Sequence, residues 1–217
     1  MDFDLKIFID TLPSLAWGAV TTAKLAAMSA LLGLVVGVLG GLARVSRHKP
    51  LRTLAFAYVT LIRGLPLLVI LLFLYYGLPS VGLLLPATAV AVLALAMTNG
   101  AYVTEIVRGG IESIDRGQMR AARSLGMSYA LAMRRVVLPQ ALRRVLPPLT
   151  NESITLLKNT ALVSVIAISD LLRAGVDAMT WKANTFSPFA GVALFYLLLT
   201  LPLLALNGWL ERRYRVH

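Results

Sequence analysis

Apolar residues run through this chain in long stretches, separated by short segments where arginine and lysine collect. A helix needs roughly 20 apolar residues to cross about 30 Å of hydrocarbon, and five stretches reach that length. Residues 12–42 are broken only by Lys24, residues 54–78 contain Arg63, and residues 81–107 carry Glu105 near their end. Residues 146–168 form the weakest stretch, because Glu152 and Lys158 lie inside it, and residues 188–209 form the last. Gly77, Pro79 and Gly82 predict a tight turn between the second and third. The pattern therefore predicts an all-α membrane protein with five transmembrane helices.

Charge placement gives the expected orientation. Segments 43–53 and 108–144, with the tail, carry fifteen of the 21 basic residues, Arg215 in the tail included. The other side holds Lys6, Arg173 and Lys182 beside Asp2, Asp4, Asp10, Asp170 and Asp177. Basic residues favour the cytoplasmic face, so the N-terminus is expected outside and the C-terminus in the cytoplasm. The net charge of +11 is thus a topology signal and not a nucleic-acid footprint. Charged residues are only 14% of the chain and hydrophobic ones 58%, with mean hydropathy +0.78, whereas a soluble domain carries roughly a quarter charged residues. The acidic start MDFDLKIFID, with no small-residue cleavage site after the first apolar run, argues against a signal peptide. A single membrane domain spanning 1–217 is expected.

Candidate chemistry is sparse. There is no cysteine, and His48 and His217 have no partner at metal-ligand spacing, so no metal site is expected. No G-x-x-x-x-G-K-[ST] phosphate loop is present either. A membrane-embedded enzyme would need a nucleophile or an acid–base pair in its spans, and none is visible. A proton-coupled secondary transporter could use Glu105 and Glu152, but that class usually shows more helices and inverted repeats. Polar residues crowd two places: Thr98, Asn99, Tyr102 and Glu105 in the third span, and Glu152, Lys158, Asn159 and Thr160 in the fourth. Each charged group there costs about 2.5–3.5 kcal/mol on the insertion scale, so these side chains should face the bundle or a water-filled cavity. Lys24 and Arg63 read as structural, the first by snorkelling and the second at a kink before Gly64 and Pro66.

The segment 108–144 has its own punctuation. Asp115 is expected to cap a short helix over 116–125, and Gly126 to end it with positive φ. Ser128 is expected to cap a second helix over 129–137, stopped by Pro139. Arg116, Arg120 and Arg123 share one side of the first helix, while Ala121 and Ala122 keep it thin.

Ala121, Ala122, Gly126, Val136, Leu138 and Pro139 fall at the spacing of the cytoplasmic signature loop of ABC importer permeases, which this segment resembles. RGLPLL (63–68), YYGLP (75–79), AYVTEIVRGGI (101–111), LPQALRRVLPPLTN (138–151), LKNTAL (157–162) and LERRY (210–214) look like the branch that carries polar amino acids. The resemblance implies a type I importer fold in the bacterial cytoplasmic (inner) membrane. It implies two cytosolic ATPase subunits that bind ATP and Mg, a second permease subunit, identical or related, and an extracytoplasmic solute-binding protein. The chain itself would need no cofactor. The 115–139 hairpin would couple to the ATPase through Gly117, Arg120, Ala121, Ala122, Leu125 and Gly126. Asn159, Thr160, Asn99, Tyr102 and Thr98 are the expected substrate-binding residues. The alternative implied is a permease for another small polar solute. Three positions depart from the pattern: Arg120 stands where the loop has Glu, Asn159 where an acid is frequent, and Ala161 where Ser is usual. Asn159 weakens the case for a cationic amino acid as cargo.

Overall fold

The computed structural model describes residues 3–214, and every regular element among them is helical. Asp2, Arg215 and His217 lie outside the described residues. The first helix, α1 (Leu5–Arg44), is longer than expected at both ends. The Asp4 side chain caps it, accepting from the Lys6 and Ile7 amides. At 1.5 Å per residue its 40 residues reach about 60 Å, roughly twice the hydrocarbon thickness.

The expected second span is a broken pair, α2 (Lys49–Arg63) and α3 (Leu67–Ser80), bent by 98°. Pro66 explains the break, because it disfavours the α conformation at Leu65 and has no N–H to donate. α3 runs through Gly77 and Pro79, so the turn is later than expected, at Val81 and Gly82 (φ +84°). α4 (Ala87–Glu112) accordingly starts after Pro86 and not at Val81.

The hairpin comprises α5 (Arg116–Ser124), α6 (Tyr129–Ala132) and a π-helical stretch, Met133–Val137. Pro139 does not stop the second arm, which passes directly into α7 (Leu138–Asn159). The π stretch supplies the reason. The Leu138 amide donates back to the Met133 carbonyl, a widened turn that accommodates the proline ring just beyond it. A 3₁₀ stretch, Thr160–Ile166, ends with Ala167 at φ 59° and leads across a 51° bend into α8 (Leu171–Lys182). α8 was not expected from the sequence. α9 (Phe186–Arg213) closes the chain. Three helices are long and apolar enough to span alone, and five spans result if each bent pair counts as one.

The main seam joins α1 to α4. Gly33, Gly37 and Gly41 recur every four residues, the small-xxx-small pattern that lets membrane helices approach closely. A Cβ added at Gly33 would strike the Asn99 side chain, one at Gly37 would strike Val103, and one at Gly41 would meet Val107 Cγ1 at 2.5 Å. At one end of the bundle the Asp4 amide donates to Ser187 Oγ (2.8 Å) and Lys182 Nζ meets Asp10 Oδ2 (3.2 Å), tying α1 to α8 and α9. At the other end Glu105 accepts from Arg44 Nε (3.2 Å) and Arg108 Nη2 (2.7 Å).

Candidate functional site

The hairpin is shaped mainly by local hydrogen bonds. The Asp115 carboxylate accepts from the Gly117 amide, and Ser128 Oγ accepts from the Leu131 amide (3.2 Å). Gly126 has φ +80°. Its amide donates to the Arg123 carbonyl (3.0 Å), and the Met127 amide donates to the Ala122 carbonyl (3.2 Å). That pair of bonds is the Schellman ending, which a Cβ at Gly126 would strain. Ala122 turns inward and is buried, as is Ala132, so its small size serves the hairpin's own packing. Gly117 is half-buried, while Arg120, Ala121 and Arg123 remain exposed. Leu125 at the tip is 80% exposed, an apolar side chain offered outward from a charged helix.

Several contacts fasten the hairpin to the bundle. The Arg47 guanidinium lies 4.5 Å over the Tyr129 ring, and at the hairpin's base Arg144 Nη1 of α7 donates to the Ser113 carbonyl at the end of α4 (2.5 Å). Met119 and Met133 pack on a buried cluster of Val107, Ile111, Ile114, Val137 and Ala141. The second arm of the hairpin runs into α7 without a break. Glu105, engaged by two arginines, is also bound into this end of the bundle.

The polar residues expected at the substrate site fall at two levels. Asn99 is buried and donates through Nδ2 to Glu152 Oε1 (3.4 Å), across the α4–α7 contact. Asn99 also lines a cavity of about 360 Å³ with Thr150 and Ser153. Tyr102 is exposed, with the Arg63 guanidinium 5.0 Å over its ring. Arg63 thus belongs with these residues through the α2–α3 break, a grouping that sequence order does not reveal. Thr98 donates to the Ala94 carbonyl (3.0 Å) within its own helix. Asn159 and Thr160 lie seven or more residues beyond Glu152, about 10 Å along α7. Thr160 is fully buried and donates to the Leu157 carbonyl (2.7 Å), whereas Asn159 is half-buried. The structure therefore brings Asn99, Glu152, Tyr102 and Arg63 near one another and sets Asn159 and Thr160 apart. Asp170, read in the sequence only as an acid on the outer side, is fully buried and caps α8 beside a Leu171 amide bonded to Thr22 Oγ1 (3.1 Å). An aspartate directly before a helical run was the available signal.

Residues 31–216 match the family model described as the binding-protein-dependent transport system inner membrane component. The chain belongs to this family. The chain is similar to a probable glutamine ABC transporter permease, GlnM, of Bacillus subtilis, 41% identical over 87% of this chain and 88% of that one. The glutamine permease GlnP of Escherichia coli K12 is 35% identical over the full length of both. The arginine permease ArtQ of Bacillus subtilis is 35% identical over 99% of each. Among solved structures, an amino acid ABC transporter with histidines is 40% identical, covers 98% of this chain and 100% of that one, and superposes with a TM-score of 0.92. An inward-facing methionine ABC transporter, MetNI, at 21% identity and TM-score 0.76, covers 93% and 96% and shares the fold. The all-α architecture is thus that of a type I importer permease, an inner-membrane transport component.

Proposed function

We propose that this chain forms the membrane pathway of an ATP-driven importer for a polar amino acid. The observation that carries the reading is the hairpin: a capped helix, a Schellman turn and the exposed Leu125 tip, continuous with α7. Gly117, Arg120, Ala121, Leu125 and Gly126 are the ATPase-coupling surface, and Ala122 keeps that surface in shape from within. Two cytosolic ATPase subunits bind ATP and Mg, and this chain binds no cofactor. A second permease subunit completes the pathway, and an extracytoplasmic binding protein delivers the cargo. The hairpin end of the bundle is cytoplasmic and the N-terminus lies outside. Arginines at 44, 47 and 108, clustered at the hairpin end, support that orientation.

An amino acid cargo is supported by the relatives named above and by the polar group itself. Arg63 and Glu152 offer opposite charges on either side of Asn99 and Tyr102, which suits a zwitterion. Asn159, an amide where an acid is frequent, favours an uncharged polar side chain over a cationic one. Thr98 and Thr160, with hydroxyls bonded to their own helices, shape this path from behind. Alternating access would come from hairpins drawn together by ATPase closure, with α7 carrying the motion upward.

Three measurements test this. The purified chain should bring down a cytosolic ATPase, and uptake should fail on ATP depletion but survive collapse of the proton gradient; the reverse pattern would return a secondary transporter. Asn159→Trp should block uptake in liposomes while assembly persists. Normal uptake by that variant would move the pathway away from Asn159.

A further inference from the structure

Between the end of α1, the end of α4 and the hairpin lies a cavity of about 1000 Å³. Three arginines line it, Arg47, Arg116 and Arg120. Among the described residues none of the three has an ion-pair partner. Two acids also line the cavity: Glu112 is paired with Arg108, and the Asp115 carboxylate, which caps α5 through the Gly117 amide, leaves three positive charges against one negative. The remaining wall is apolar, with Val45, Ile114 and Val137 among its residues. A cavity with a cationic rim and an apolar wall calls for an amphipathic anion.

Its depth points the same way. In the orientation proposed above, the Arg44–Glu105–Arg108 cluster falls where the apolar stretches of α1 and α4 end. Ile111 stands three residues beyond Arg108 in α4, about 5 Å along the helix, which is the thickness of a headgroup layer, and Val45 and Arg47 follow Arg44 just past the end of α1. Arg47 is also pinned by its stacking on Tyr129, so its charge is held at the cavity without a large ordering cost on binding.

We propose that this cavity binds the phosphate of an anionic phospholipid from the inner leaflet, with Arg47 and Arg116 on the phosphate and the acyl stem along the apolar wall. Basic pockets on the cytoplasmic side of helix bundles bind such headgroups. The lipid would sit between the hairpin and the bundle, so the hairpin's seating would depend on membrane composition. This rests on the cytoplasmic placement of the hairpin proposed above and not on the identity of the cargo.

The test uses the intact transporter, permease with its copurified ATPase, titrated in detergent with phosphatidylglycerol and phosphatidylcholine and read by native mass spectrometry. The wild type should retain phosphatidylglycerol in preference to phosphatidylcholine. Each headgroup-facing arginine is worth roughly fivefold in binding, so Arg116→Gln alone should lower retention by about that factor and the Arg47→Gln/Arg116→Gln pair by roughly 25-fold. Arg116→Gln leaves the Arg47–Tyr129 stack in place, which guards against misfolding. Arg143→Gln, which removes a charge outside the cavity, should retain lipid like the wild type. Equal losses from Arg143→Gln and Arg116→Gln would reduce the effect to net charge and overturn the site. Unchanged lipid with a reduced ATPase yield in Arg116→Gln would instead assign the arginine to a carboxylate of the ATPase. Displacement of the lipid by millimolar glycerol 3-phosphate would make it a small-anion site, and the lipid proposal would fail.

Discussion

Along the α1–α4 seam, Gly33, Gly37 and Gly41 bring two long helices together with side chains pressed onto bare backbone. In the 115–139 hairpin, Ala122 is the buried small residue, but the helix that carries it has only nine residues and arginines on its outer side. An isolated helix shorter than about 12–15 residues is marginal in water, so α5 relies on Asp115, on the Gly126 turn and on packing by Met119. The seam is stabilised by close van der Waals contact along the glycine row. The hairpin is stabilised at a few named points. The first arrangement suits a rigid body, and the second suits a part that must fit another protein while leaving its outer face free.

Gly37 is the most sensitive position of the seam. Gly37→Leu should cost roughly 3 kcal/mol by overpacking against Val103, with loss of the folded permease. Gly109→Leu is the control, since nothing lies within 4 Å of a Cβ there. Equal thermal stability of the two in detergent would mean that the seam is not tightly packed.

Gly126→Val probes the hairpin in the same way. It should cost about 2 kcal/mol in backbone strain at φ +80°. The spans should still insert, while ATP-driven uptake in liposomes fails. Wild-type uptake would show that the turn does not set the coupling geometry.

Arg120→Glu is expected to act through the partner. If the ATPase groove meets Arg120 with a carboxylate, reversal should weaken assembly by at least about 1.5 kcal/mol, even though it restores the family's usual residue. Unchanged ATPase yield and uptake would place Arg120 in solvent.

The smallest effect is expected at Tyr129. Removing its ring by Tyr129→Leu deletes the stack with Arg47 and should cost about 0.5–1 kcal/mol. Hydrogen exchange should quicken in α5 and α6 and stay slow in the middle of α4. Equal quickening in both would show that hairpin and seam are one cooperative unit.

Much of the hairpin was legible in the sequence because its signals are local. Asp115, Gly126 and Ser128 act on amides within five residues, so their identity and spacing suffice. Pro139 misled for a related reason. A proline ends a regular α-turn, but the π stretch over Met133–Val137 absorbs it, and that widening is visible only once the helix is built. The polar site was legible as a list of residues and not as a group. Asn99 and Glu152 lie 53 positions apart, and Arg63 reaches Tyr102 only because the chain turns sharply at 64–66.

Sequence alone determined that the chain is helical and membrane-spanning and which segments carry the positive charge. Apolar length and charge are properties of each segment by itself and need no neighbour. The tertiary structure decided the 98° and 51° bends, the extra helix α8, the pairing of the glycine row with Asn99, Val103 and Val107, and the burial of Asp170 and Thr160. These depend on which surfaces meet. In a bilayer, where apolar side chains gain nothing by leaving lipid, close packing and shared polar groups choose among helices that hydropathy alone leaves equivalent.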